Sequence, residues 1–164
     1  QEQEGQLTSQ PNRGYFVRGM SAAEVTEIYA LRLSIEPAAA AYACSVASEP
    51  DRERASAAYE ELDRAANHSL EDVAVSNRNF HTALVRPGGR LLTTQLVERL
   101  SILSERYVVA HLKPSGRNAR AHVEHAKLID AWLARDEPLL ERLLAEHIQG
   151  TLYDLHAQFS AAAG

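Results

Sequence analysis

Apolar residues return every three or four positions along most of the chain from Ser21 onward, the interval that stacks side chains on one face of an α-helix. Six helical segments are expected. The first runs from about Ser21 to Ala47, opened by Ser21 as N-cap; Pro37, which removes a backbone donor, predicts a kink or a division within it. The second follows "SEPDRE", with Ser48 as cap and Pro50 in the first turn, and reaches about Asn67. The third begins at Ser69, with Asp72 three residues on in the manner of a capping box, and stops at "RPGG". The fourth spans about Arg90 to Leu112, the fifth about Asn118 to Ala134, and the sixth runs from the cap Asp136 to about Ser160. No strand and helix alternation appears, so residues 21–164 are expected to form an all-α antiparallel bundle. Ahead of it, "QLTSQPNRGYFVRG" sets two short strand-like pieces around the turn-forming "PNRG", predicting a β-hairpin within residues 1–20.

The informative positions are those where a stripe turns polar. In the third helix Leu70, Val73, Asn77, His81 and Leu84 share a face, which points Asn77 and His81 inward. The fifth does the same with Ala121, His125, Leu128 and Trp132, and the sixth with Leu140, Leu143, Leu144, His147 and Thr151. One inward histidine is most simply a core residue bonded to a carbonyl. Three in one small bundle are costly to bury unless something satisfies their nitrogens together, and a divalent metal does so by accepting lone pairs from neutral imidazole. The side-chain oxygen of Asn77, one turn before His81, completes a candidate set of three nitrogens and one oxygen with room for an exogenous ligand. His122 lies one turn before His125 and is the alternative if the register of the fifth helix is otherwise. His68 is expected to be solvated, and His111 and His156 to lie on helix surfaces or interfaces.

The first helix carries a different exception. Val25, Ile28, Arg32, Ile35 and Ala39 form a stripe with a permanent cation in its middle. A buried guanidinium needs an anion. That anion is either Glu36, four residues on, or the carboxylate or phosphate of a bound small molecule.

Composition narrows the alternatives. A chain of 164 residues is one ordinary domain with a small appendage, and its single cysteine, Cys44, excludes a disulfide framework and a cysteine-based zinc site. No apolar run approaches the roughly 18 to 20 residues of a membrane span, and "QEQEGQLTSQ" lacks the regions of a signal peptide, so a soluble cytoplasmic protein is expected. With a formal charge of -5, the bundle itself is not expected to wrap nucleic acid.

The ordered runs "EIYALRLSIEPAAAAYA" (27–43), "NRNFHTAL", "HVEHAKLIDAW" (122–132) and "LLAEHIQ" (143–149) together resemble the FCD effector-binding domain of GntR-family transcription regulators, in the FadR subfamily and its shorter, VanR-like arrangement. The family signature of Arg followed four residues later by Glu is matched by Arg32 and Glu36. The resemblance implies a metal site at Asn77, His81, His125 and His147 holding zinc or nickel, and an organic-acid effector touching Arg32, Asn77 and His81. It implies a homodimer that switches its hold on a DNA operator. "EQEGQLTSQPNRGYFVRG" resembles the end of a winged helix-turn-helix, so residues 1–20 are expected to be a wing remnant, with most of the DNA reader absent and with Arg13 and Arg18 where family wings approach DNA.

Asn77 departs from the family pattern, in which aspartate is usual. A neutral amide binds a divalent ion less strongly than a carboxylate and leaves the site near about +2 rather than about +1, which favours an anionic effector that binds together with the metal. Two other classes fit the residues. A structural dimerisation module with a vestigial metal site is consistent with Asn77, and a metal-dependent hydrolase with an open coordination position. Against a di-iron enzyme, the residues three before His81, His125 and His147 are Arg78, His122 and Leu144 where Glu is needed.

Overall fold

The computed structural model describes residues 7–10, 14–17, 19–111 and 117–164, with side chains over 19–109 and 119–164. Strands β1 (Leu7–Gln10) and β2 (Gly14–Val17) pair antiparallel, with Leu7 opposite Val17 and Gln10 opposite Gly14. Helices α1 (Ala22–Val46), α2 (Glu49–Ala65), α3 (Leu70–Val85), α4 (Leu91–His111), α5 (Arg117–Leu133) and α6 (Glu137–Ala162) follow, with one 3₁₀ turn at Arg86–Gly88. These are the six expected helices, each within about three residues of its predicted ends. Arg13 and Arg18 lie outside the described residues. No helix among the described residues is long and apolar enough to cross a membrane.

The helix starts follow local chemistry. Ser21 Oγ accepts the Glu24 N–H at 3.0 Å, Ser69 Oγ accepts that of Asp72, and Asp136 accepts that of Leu139. Ser48 and Asp51 form a full capping box, each side chain accepting the other's backbone N–H. Gly89 ends the 3₁₀ turn at φ 68°, a conformation that only glycine adopts without strain. Pro37 does not divide α1, which continues through it as one helix. Removal of one backbone donor is outweighed there by packing, since Pro37, Ala39, Ala40, Ala41 and Ala43 are buried where α1 runs beside α6 and α3.

α1 lies centrally, against α3, α4 and α6, while α2 packs on α3 and α5 packs on α6 and α2. Val25, Ile28 and Tyr29 of α1, Phe80 and Leu84 of α3, Leu128 and Trp132 of α5, and Leu140, Leu144 and Ile148 of α6 form the dry core. Each buried aliphatic or aromatic side chain of this size contributes roughly 1.5–3 kcal/mol. Trp132 carries a polar handle into that core and satisfies it by donating Nε1–H to Leu84 O at 2.9 Å.

Two helix ends are closed from elsewhere in the chain. The last turn of α1 has no basic residue of its own, and Arg135 supplies one: its Nη1 donates to Cys44 O (2.7 Å) and Ser45 O (2.9 Å), and its Nη2 to Ala47 O (2.6 Å). Conversely Arg52 of α2 donates to Leu133 O, at the end of α5, at 2.7 Å. Both arginines meet carbonyls that the helices cannot bond internally. Arg135 does so from a left-handed backbone, φ 57°.

Arg135→Ala therefore removes the three carbonyl contacts and keeps the strained backbone, and is expected to lower unfolding free energy by about 1–3 kcal/mol. Arg135→Gly loses the same contacts but relieves the left-handed cost, so it should lose about 1 kcal/mol less. Urea unfolding of the three proteins checks both the size and the order.

Candidate functional site

The three predicted histidines converge. His81 of α3, His125 of α5 and His147 of α6 are buried, and one ring nitrogen from each lies within 4.8 Å of the others. Their ring centroids are 4.7 Å apart for His125 and His147, 5.4 Å for His81 and His147 and 6.0 Å for His81 and His125. The register of α5 is the expected one. His122 stands apart from the cluster, at the rim of the adjoining cavity, with a 55% exposed side chain and its Nδ1 2.9 Å from Asp63 of α2. His68 is exposed, as expected, and His156 reaches Thr26 Oγ at 2.8 Å, tying α6 to α1 at the surface. Phe80 walls the cluster, its ring inclined at 80° to that of His81 and 76° to that of His125.

Carboxylates fix two of the rings. His81 Nδ1 is 3.3 Å from Glu36 Oε2, and His147 Nδ1 is 2.6 Å from Glu124 Oε2. A carboxylate accepts, so each Nδ1 carries a hydrogen, and in a neutral ring the lone pair is then on Nε2. His81 Nε2 is buried without a hydrogen-bond partner. Burial drives the His81 pKa down to about 4 against the opposing pull of Glu36, so the ring is neutral near pH 7. Neutral, oriented imidazoles backed by carboxylates are the form in which histidine binds a metal ion, and the donor set suits a divalent ion of the zinc type.

Behind His81 stands the ion pair that the first helix requires. Arg32 grips Glu36 with Nε on Oε1 at 2.6 Å and Nη2 on Oε2 at 3.2 Å, and places Nη1 on Ser104 Oγ of α4 at 3.2 Å. Burial alone would raise the Glu36 carboxyl, but the Arg32 guanidinium and the His81 bond outweigh it and hold the pKa at about 2. Burial likewise works against the Arg32 charge, yet Glu36 and Tyr29 raise its pKa. Arg32 thus meets the nearer of its two expected partners, Glu36, with every nitrogen of its guanidinium engaged.

A cavity of about 90 Å³ opens beside the cluster. His81, His125 and His147 line it with Asn77, Arg32 and Tyr29, and so do Arg78 of α3 and Ser101, Ser104 and Glu105 of α4. Asn77 is half-buried one turn before His81, where the stripe of α3 puts it. Glu124 was not legible as part of the site. It precedes His125 by one residue and so belongs to another face of α5, and only the packing of α5 on α6 brings it to His147. Arg78 likewise sits one residue after Asn77, off the predicted stripe, and reaches the cavity by extending to Glu105.

Comparison with known proteins defines the class to which this fold and cavity belong. The model of the FCD domain matches residues 27–150, and the chain belongs to that family. FCD domains are the effector-binding domains of GntR-family transcription regulators, which are not enzymes. Among named relatives, the chain is 27% identical over 156 residues to a protein named as the uncharacterized HTH-type transcriptional regulator BphR of Paraburkholderia xenovorans, covering 89% of this chain and 62% of that protein. It is 25% identical over 146 residues to the Nta operon transcriptional regulator of Aminobacter aminovorans, covering 89% of this chain and 68% of the relative. The fold matches E. coli McbR/YncC with a TM-score of 0.83 at 20% identity, over 96% of this chain and 80% of that one. It matches a putative GntR transcriptional regulator from Rhodococcus sp. RHA1 with a TM-score of 0.81 at 18% identity, over 95% and 75%.

The buried pair yields a test that needs no ligand. Glu36→Ala strands the Arg32 charge and is expected to cost about 3–5 kcal/mol, whereas replacing both residues by methionine removes the charge and its partner together and should recover most of that loss. Denaturant unfolding in the presence of a chelator measures both.

Proposed function

We propose that this chain is the effector-sensing domain of a DNA-binding transcription regulator, in which a divalent metal ion, zinc or nickel, and a small carboxylate bind together in the histidine-lined cavity. The observation that carries the reading is the meeting of three buried imidazoles from three helices at one cavity, with His81 Nε2 left unsatisfied. His81, His125 and His147 would hold the ion, and Asn77 would offer its amide oxygen. When bound, the ion supplies a Lewis-acidic position for a carboxylate oxygen of the effector.

The protein's own groups do the rest. Glu36 and Glu124 fix the tautomers and ring angles of His81 and His147. Arg32 acts one step back, by holding Glu36 in place. Asn77 contributes no charge, so an anion is favoured over water beside the ion. α1 links the cavity to the N-terminal hairpin. Glu36 on α1 bonds His81, and the start of the same helix is held when the Ser21 N–H donates to Tyr107 OH of α4 at 3.3 Å. A ligand that binds two positions of His81 with different affinity therefore biases α1, which is the requirement for transmission.

In this reading the hairpin of β1 and β2 is the wing of a winged helix-turn-helix, Arg13 and Arg18 approach an operator, and the regulator works as a cytoplasmic homodimer. The names of the relatives support regulation of transcription. The chain spans 62% of the first of them, so operator binding belongs to the longer protein and is part of the proposal. Exposed leucines on α4, Leu91 and Leu92 at 71% and Leu96 at 43%, support a subunit interface.

Protein purified without added metal is expected to carry about one zinc or nickel per chain by elemental analysis, given three converging imidazoles. Calorimetry with a small-acid panel should show binding that is lost with chelator; equal affinity with and without chelator would overturn the coupled metal and carboxylate reading. Glu124→Gln should keep the fold and weaken zinc binding by about tenfold or more in dye competition, because the second partner of His147 loses its charge.

A further inference from the structure

The cavity holds a second guanidinium that the site described so far does not use. Arg78 faces it from α3, and its Nη1 alone contacts Glu105 of α4, at 3.1 Å from Oε1 and 3.2 Å from Oε2. Its Nε and Nη2 make no hydrogen bond to any described residue. One turn along α4 from Glu105, Ser101 also lines the cavity, buried, with its hydroxyl oxygen unpartnered. Arg32 differs on every count: all its nitrogens are engaged, and withdrawing it would strand a buried carboxylate. The Arg78 and Glu105 side chains are 27% and 21% exposed, so a ligand in the cavity can reach the open edge of Arg78 without displacing Glu105.

Charge and size limit what fits. Of the charged groups that line the cavity, Arg32 is matched by Glu36 and Arg78 by Glu105, while the carboxylate of Asp63 lies 2.9 Å from the His122 imidazole. A divalent ion on the histidines and Asn77 would then leave the cavity positive by about one charge after Asp63, with the open edge of Arg78 beside it. A volume of about 90 Å³ has room for roughly six to nine water-sized groups.

We propose that Arg78, with Ser101 beside it, is a second anchor in this cavity and that the effector is a dicarboxylate of about three to five carbons. One carboxylate lies at the histidine cluster and the other on the open edge of Arg78. The inference rests on the effector reading above and deepens it: the second carboxylate, not the first, is what Arg78 selects.

The test is calorimetry with succinate and with butyrate, which has the same number of carbons and one carboxylate, on zinc-loaded protein. Wild type is expected to bind succinate about tenfold or more tighter than butyrate, the worth of one charge-assisted contact. Arg78→Gln should bring the two acids within about twofold while leaving butyrate affinity, zinc content and thermal melting unchanged. Arg78→Lys should retain part of the preference. Glu105→Gln, which keeps Arg78 and removes its competitor, should tighten succinate by about threefold or more. An Arg78→Gln protein that still prefers succinate overturns the assignment, as does wild type binding both acids equally. In both cases the effector reading stands. Wild type binding neither acid overturns that reading and this one together.

Discussion

The Arg32 and Glu36 pair is the constraint around which the rest of the bundle is organised. Two opposite charges lie buried within one helix, and neither can be left alone there. Glu36 satisfies that condition by facing two ways. It neutralises the guanidinium on its own helix and accepts from His81 on α3, while the remaining nitrogen of Arg32 reaches Ser104 on α4. Three helices are thereby registered by one polar chain. The orientation of His81, and so the direction of its open nitrogen, follows from a demand that begins as charge burial.

Glu124 and His147 repeat the device at the junction of α5 and α6, with Arg120 beside the carboxylate. The two carboxylates stand behind the rings rather than among the candidate ligands, so the histidine cluster itself presents imidazole nitrogen and, from Asn77, amide oxygen. An aspartate in place of Asn77 would put a full charge at the point where this chain has a dipole. The acid-to-amide difference is small in volume and large in field, and a neutral amide oxygen is the weaker donor toward a divalent ion.

Much of this was legible because helices are periodic and their starts are chemically marked. The stripes of α3, α5 and α6 gave the inward turn of His81, His125 and His147, and Ser21, Ser48, Ser69 and Asp136 gave the starts. What escaped has a common cause. Glu124 and Arg78 each sit one residue from a stripe position, and periodicity assigns them to another face. Their reach into the site depends on side-chain length and on which helix packs against which, and neither is encoded locally. Arg32 had two partners of equal standing in the sequence, and packing chose Glu36. At Pro37 the division did not occur, since its local cost is visible in the sequence but the burial of the alanines after it only once α1 has its neighbours.

The reciprocal arginines have a bearing on how the domain comes apart. Arg135 holds the end of α1 from some 90 residues downstream, and Arg52 holds the end of α5 from about 80 residues upstream. Neither of these helices can fray at that end without breaking a long-range closure. Loss of the α5 to α6 turn would loosen the helix on which Glu36 sits. Partial opening by successive helices is thus penalised at its first step, and the bundle is built to come apart as one cooperative unit.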